Sequence, residues 1–225
     1  VPATTAPGPI DPDAHAARVR AAYDTVADAY AALLPGTEAE TPLDLATVGA
    51  FAWLVGATGA AGPVADVGCG AGRMTAHLAA LGLAAHGLDL SPAMVAAARR
   101  AHPTLPFVVG SLAALPYPDA SQAGVLAWYS LIHVPPAQLP GVAAELHRVL
   151  APGGHLLVGV QAGDGPRHLS RAYGHDVDLD AWLWRPDELA GVLTRAGLDV
   201  RARVVREPEA HERHAQAFLL ARRPG

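Results

Sequence analysis

Three groups of residues in this chain have types and spacing that suit chemistry. The first is Val64-Ala65-Asp66-Val67-Gly68-Cys69-Gly70-Ala71-Gly72, an apolar run that ends in an acid and three glycines at alternate positions. Glycine tolerates positive φ and lets a ligand approach the backbone. A helix starting just behind the turn would aim its free N–H groups at that ligand. The second is Asp89, which closes the apolar stretch Ala84-Ala85-His86-Gly87-Leu88. A carboxylate at a strand end can accept two hydrogen bonds from the cis hydroxyls of a ribose, or it can cap the helix that Ser91-Pro92 announces. The third is His133 in Trp128-Tyr129-Ser130-Leu131-Ile132-His133-Val134-Pro135-Pro136. An imidazole there can take a proton from a substrate, or it can cap the turn that follows.

Spacing narrows the ligand. A dinucleotide turn G-x-G-x-x-G needs its third glycine at position 73, where this chain has Arg73. That disfavours NAD, which remains an alternative as the cofactor of an oxidoreductase. A phosphate-cradling loop of the G-x-x-x-x-G-K-[ST] type needs a lysine, and all 16 Lys+Arg residues are arginine, so ATP or GTP hydrolysis of that kind is excluded.

These residues need a scaffold that brings strand ends together. Residues 1–12 hold four prolines among small residues and read as a flexible tail, with the fold starting near Asp13. Helices are expected over 14–34, ended by Pro35-Gly36, and over 43–55; together 13–57 would form a helical cap. From there strands (64–67, 84–89, 106–109, 123–129, 155–161) alternate with helices (72–81, 92–101, 136–150, 186–196). Such alternation implies a parallel sheet with helices on both faces, whose ligands bind at the carboxyl ends of the strands. Two final strands, 198–206 and 215–222, lack an intervening helix and should be antiparallel neighbours.

The D-x-G-x-G-x-G run resembles the first motif of the class I S-adenosylmethionine-dependent methyltransferases, and further stretches are similar to that family's patterns. Leu88-Asp89-Leu90-Ser91-Pro92-Ala93-Met94 is similar to its second motif. Tyr23-Asp24-Thr25-Val26-Ala27-Asp28-Ala29-Tyr30 is similar to the Y-D-x-x-A-x-x-Y helix of many small-molecule members, and Glu145 to Gly154 matches E-x-x-R-V-L-x-P-G-G. The resemblance covers residues 23–161 and implies one Rossmann-like α/β domain over 13–225. Its sheet would be seven-stranded and mostly parallel, with a C-terminal antiparallel hairpin. It implies S-adenosylmethionine as cofactor, S-adenosylhomocysteine as product, and an in-line methyl transfer.

Carried over residue by residue, the resemblance puts Gly68, Cys69, Gly70, Gly72 and Arg73 against the amino-acid end of the cofactor, with Asp66 ordering the turn by bonding its amides. It puts Asp89 at the ribose with Leu90 among the cofactor contacts, Met94 and the Leu112 amide at the adenine, Tyr23 and Tyr30 over the methionine, and Tyr129 beside the site. Ser111 stands where the family usually has an acid, so the adenine would be held without charge assistance. Two tyrosines seven apart also share one helix face, and amphipathic packing would place them equally well. Enzymes that methylate nucleobase or glutamine amide nitrogens carry an N/D-P-P-Y/F motif after the fourth strand, and this chain does not.

The acceptor should meet His133 as base or pocket residue, with Ser130 nearby. A lid insertion at 162–185 differs from the alanine-rich scaffold and supplies Arg167, Arg171, Tyr173, His175 and Trp184 as candidate substrate contacts. Arg167 and Arg171 would hold an acidic substrate one turn apart if that stretch is helical; otherwise it is a solvated connection anchored by its tryptophans. Transfer to a hydroxyl or carboxyl oxygen is expected, with nitrogen as the alternative. A protein that binds the cofactor without catalysis is a further alternative.

Composition sets outer bounds. With 225 residues, 51% hydrophobic and 16% charged, the chain suits one folded domain and not a disordered one. A net charge of -5 gives no footprint for nucleic acid, and no apolar run reaches the roughly 18 residues of a membrane span. A small-molecule substrate is therefore expected, with no nucleic acid or membrane partner, and a monomer or homodimer as the assembly. The single cysteine cannot form an internal disulfide, and the first residues lack a basic region followed by an apolar one, so a cytoplasmic location is expected. No metal is expected. His211-x-x-His214 has helix-like ligand spacing but precedes the last strand, away from the expected cofactor mouth, and has no third ligand.

Overall fold

A computed structural model describes residues 10–225, so most of the proposed tail lies outside the described residues. Helix α1 (Pro12–Leu33) starts earlier than the sequence suggested. Asp11 and Pro12 form its cap, the Asp11 carboxylate accepting from the amides of Asp13 (3.0 Å) and Ala14 (3.4 Å). Helix α2 (Pro42–Thr58) opens with a capping box between Thr41 and Asp44 and ends at Gly59 in the left-handed conformation.

The alternating region follows as β1 (Val64–Val67), α3 (Arg73–Ala80), β2 (Ala85–Asp89), α4 (Pro92–Ala101), β3 (Phe107–Val109) and β4 (Gln122–Trp128). It continues with α5 (Leu139–Val149) and β5 (Leu150–Gln161). Helix α5 starts later than expected because Leu131–His133 form a 3-10 turn and Pro135 begins a further turn through its carbonyl. After β5 come β6 (Gly165–Ala172), β7 (His175–Leu183), α6 (Pro186–Arg195), β8 (Asp199–Arg206) and β9 (Gln216–Arg222).

Seven strands form one sheet in the order β3-β2-β1-β4-β5-β9-β8. The pairs from β3 to β5 are parallel, and β9 runs antiparallel to both β5 and β8. The expected α/β architecture with its terminal antiparallel hairpin is thus present. Helices cover both faces: α5 and α6 bury Leu146, Leu189 and Leu193 on one side, and α2 and α3 bury Phe51, Val55, Met74 and Leu78 on the other. The parallel strands β1 and β4 are buried along their whole length, as a sheet covered on both faces requires.

The segment expected as a lid is neither helix nor irregular loop. β6 and β7 form a separate antiparallel hairpin with a register shift between Leu169 and Arg171. Its inner residues Leu169, Val177 and Leu179 pack on Val19, Ala22 and Tyr23 of α1. Helix α1 and this hairpin together roof the carboxyl ends of the strands. Among the described residues no helix is long and apolar enough to cross a membrane.

Candidate functional site

A cavity of about 490 Å³ lies under that roof, walled by the ends of β1, β2, β4, β5 and β9 and by the β8–β9 loop. At its β1 wall the glycine turn has positive φ at Gly68 (77°), Gly70 (54°) and Gly72 (85°). A Cβ at Gly68 would sit 2.3 Å from Ser130 Cβ, and one at Gly70 would sit 3.3 Å from the Tyr30 ring, so the first two glycines are needed for space as well as conformation. Gly72 serves packing instead: a Cβ there would strike Phe107 and Ala98.

The turn is ordered by Asp89 and Leu88. Gly70 N–H donates to Asp89 Oδ2 (2.8 Å), and the amides of Gly68 and Cys69 donate to the Leu88 carbonyl (2.7 and 2.9 Å). Asp66, expected to bond the turn's amides, faces α3 instead and accepts from the Thr75 hydroxyl at 2.7 Å. Burial pushes its carboxyl up to about 7, partly offset by Thr75. Asp89 Oδ1 accepts from Ser91 N–H (2.9 Å), and Ser91, not Asp89, supplies the α4 cap, its hydroxyl oxygen accepting from Met94 N–H (3.1 Å). An ionised carboxylate has about four acceptor positions, so two amide bonds leave Asp89 able to accept two more from the cavity it lines. Burial raises the Asp89 pKa, and the amides of Ser91 and Gly70 oppose that rise.

The cavity wall also takes in Tyr23, Tyr30, Gly68, Gly70, Arg73, Leu90, Ser111, Leu112, Tyr129 and Ser130 from the sequence-derived set. Cys69, Gly72 and Met94 lie outside it. Cys69 packs with Val95, Ala98 and Phe107, and Met94 is fully buried among Val26, Ala27 and the two tyrosines of α1. Tyr129 (φ 56°) and Tyr173 (φ 49°) hold left-handed backbone that is costly for a side chain of their size. Both face the cavity, and Tyr173, at the β6–β7 tip, meets Tyr30 edge to face at 5.1 Å.

His133 lies on the 3-10 turn after β4 and lines the same cavity. Its Nδ1 is 3.0 Å from the Asp180 carbonyl, which can only accept, so Nδ1 carries the proton. Nε2 is then bare and accepts from the Tyr23 hydroxyl at 2.7 Å. Burial lowers its pKa to about 4, the Asp180 carbonyl working against the shift and His15 and Arg167 adding to it. His15 in turn donates Nε2–H to the His133 carbonyl (2.8 Å). Trp184 is buried and donates to the Leu131 carbonyl (3.2 Å), so it holds the 3-10 turn in place from outside the cavity.

Of the lid residues, Arg167 and Tyr173 reach the cavity; exposed Arg171 and His175 sit near the hairpin tip outside it. A strand replaces the helix that would have set Arg171 beside Arg167. His211 and His214, expected away from the mouth, line it, because the β8–β9 loop folds back over the sheet end. Arg206 holds that loop, bonding Asp44 through Nε (2.7 Å) and Nη2 (2.9 Å) and Glu212 through Nη2 (2.8 Å). Arg73 makes a buried ion pair with Glu40, which also accepts from Trp128 Nε1–H at 3.1 Å. His15, Glu40, Asp44, Gln161, Arg206, Glu212 and Gln216 are wall residues that sequence reasoning missed. Asp44 and Arg206 lie 162 positions apart, and no local pattern pairs them.

Comparison with known proteins agrees with this arrangement. Residues 64–154 match a family model described as a methyltransferase domain. The chain is 36% identical over 118 residues to a malonyl-[acyl-carrier protein] O-methyltransferase of Erwinia billingiae, covering 52% of this chain and 46% of that protein. It is 32% identical over 152 residues to a demethylmenaquinone methyltransferase of Tropheryma whipplei, covering 64% and 59% respectively. The chain thus spans about half the length of the curated relatives it matches. Among solved structures, Burkholderia thailandensis 1,6-didemethyltoxoflavin-N1-methyltransferase superposes with a TM-score of 0.74 at 23% identity, over 99% of this chain and 94% of that one. The magnesium protoporphyrin IX methyltransferase of Synechocystis PCC 6803 does so with a TM-score of 0.68 at 19% identity, over 97% and 100%. Residues 64–154 thus match a methyltransferase domain, and in its glycine turn, strand-end acid and strand order the chain is similar to the class I S-adenosylmethionine-dependent methyltransferases.

Proposed function

We propose that the protein transfers a methyl group from S-adenosylmethionine to an oxygen, hydroxyl or carboxyl, of a small molecule. The cavity suits that cofactor: Asp89 has acceptor positions to spare for two ribose hydroxyls, and the backbone at Gly68 and Gly70 leaves room that side chains would fill. Arg73, buried in its ion pair with Glu40, occupies the position where a dinucleotide turn needs a third glycine. S-adenosylmethionine, when bound, supplies an electrophilic methyl on a sulfonium and leaves as S-adenosylhomocysteine.

The observation that carries the choice of oxygen is the Tyr23–His133 pair. Tyr23 donates its proton to His133 Nε2, so its oxygen lone pairs are free to accept from a substrate O–H. As the oxygen gains a methyl, its proton passes to Tyr23 and the Tyr23 proton to His133, with Asp180 holding the ring in the tautomer that receives it. A base of pKa about 4 suits an oxygen acceptor, whose proton becomes strongly acidic as the methyl arrives. It is poorly matched to an alkylammonium of pKa ~10, which would cost about 8 kcal/mol to deprotonate, at 1.36 kcal/mol per unit. Transfer of labelled methyl from S-adenosylmethionine to a panel of hydroxy and carboxy metabolites and of matched amines tests the reading; transfer confined to the amines would overturn it. A non-basic ring nitrogen meets the same acid–base condition, and the Burkholderia neighbour, similar over nearly the whole chain, is named as an N1-methyltransferase.

A further inference from the structure

Charge around the cavity is unevenly committed. Each acidic wall residue has an internal partner: Glu40 is held by Arg73, Asp44 and Glu212 by Arg206, and Asp89 by backbone amides. Arg20, Arg167 and Arg213 also line the cavity, yet among the described residues none has a carboxylate partner. Arg167 uses one N–H on Gln161, leaving most of its five donors unused. Arg20 comes from α1, Arg167 from β6 and Arg213 from the β8–β9 loop. Arg167 bonds Gln161, which pairs with Gln216 on β9, three residues after Arg213, so the two arginines belong to the same end of the β5–β9 pair; both lower the pKa of His214, after burial.

This wall is separate from the expected cofactor end. Asp89 ends β2, and β5 and β9 lie three and four strands further across the sheet, roughly 14 and 19 Å away at ~4.8 Å per strand. Unused guanidinium donors on a cavity wall suit an oxyanion, and a planar carboxylate matches the guanidinium fork.

We propose that the acceptor is a carboxylate-bearing small molecule, held through its carboxylate by Arg167 and Arg213. This inference rests on the methyltransferase reading. Binding is measured by ligand-observed NMR on the full chain with S-adenosylhomocysteine present to fill the cofactor end. The probes are small aromatic and aliphatic carboxylates, each paired with its neutral carboxamide. Carboxylates should bind at least roughly tenfold more tightly than their carboxamides, and Arg167→Gln with Arg213→Gln should abolish the difference. Among the described residues neither arginine has an ion-pair partner to lose, so the double variant should melt within about 2 °C of the parent. Equal binding of carboxylates and carboxamides, binding of neither, or preference unchanged in the double variant would overturn the inference. Failure of S-adenosylhomocysteine itself to bind, read by calorimetry, would instead overturn the methyltransferase reading beneath it.

Discussion

Replacing Tyr23 by Phe tests the proposed proton path with little steric change. The ring stays, and with it the edge-to-face contact with His133 at 5.3 Å; what is lost is the hydroxyl 2.7 Å from Nε2. That leaves a buried imidazole nitrogen without a partner, a cost of about 1–3 kcal/mol in stability. It also breaks the route from acceptor to base, for which general-base contributions of about 10²–10⁴ apply, so turnover should fall at least ~100-fold. Affinity for S-adenosylhomocysteine should change less than about threefold, since no bond to the glycine turn or Asp89 is touched. The pH profile supplies an independent readout. Burial lowers the His133 pKa from 6.5 to about 4, so the bare Nε2 persists well below neutrality and the acid limb of kcat should bend near 4. Imidazole nitrogen shifts in labelled protein should show the Nδ1–H tautomer and the same titration. Unchanged turnover in Tyr23→Phe, or an acid limb bending at 6.5, would refute the relay.

Other perturbations separate the parts of the site. The depressed His133 pKa also links stability to pH: the folded state binds fewer protons between 4 and 6.5, so the contribution is complete above 6.5 and lost as pH falls towards 4. It amounts to roughly 3 kcal/mol, which urea unfolding across that window should reveal against His133→Gln. Asp89→Ala should weaken S-adenosylmethionine binding by about 100-fold or more, because two ribose acceptors and the anchor of Gly70 go together; calorimetry giving unchanged affinity would remove the ribose role. Arg206→Met should destabilise the fold by about 3–5 kcal/mol by leaving buried Asp44 uncompensated, and denaturant midpoints unchanged from the parent would contradict that.

Local chemistry made much of this legible. Gly68, Gly70 and Asp89 announce themselves because a tight turn and a strand-end acid need those residue types at those places, and the strand–helix alternation fixed the parallel sheet. The lid hairpin was also written in the chain, as Val177, Leu179 and Ala181 alternate with Asp176, Asp178 and Asp180, a period of two that reads as a half-buried strand. Arginine, histidine and tyrosine scattered through the same stretch drew attention to ligand contacts and away from that pattern. The tail boundary was misplaced because Asp11-Pro12 is a helix cap as well as a turn signal. What the sequence could not show is pairing across distance. Asp66 finds Thr75 and not the turn's amides, Trp184 supports Leu131, and Arg206 joins Asp44 to Glu212 only once β8 and α2 are side by side.

Every role assigned to the cavity depends on its holding S-adenosylmethionine. Calorimetry of the full chain with S-adenosylmethionine, S-adenosylhomocysteine and NAD, each added alone, tests it most directly. The first two should bind one-to-one at roughly micromolar affinity, and NAD should give no heat. Binding of NAD without binding of S-adenosylmethionine would contradict it.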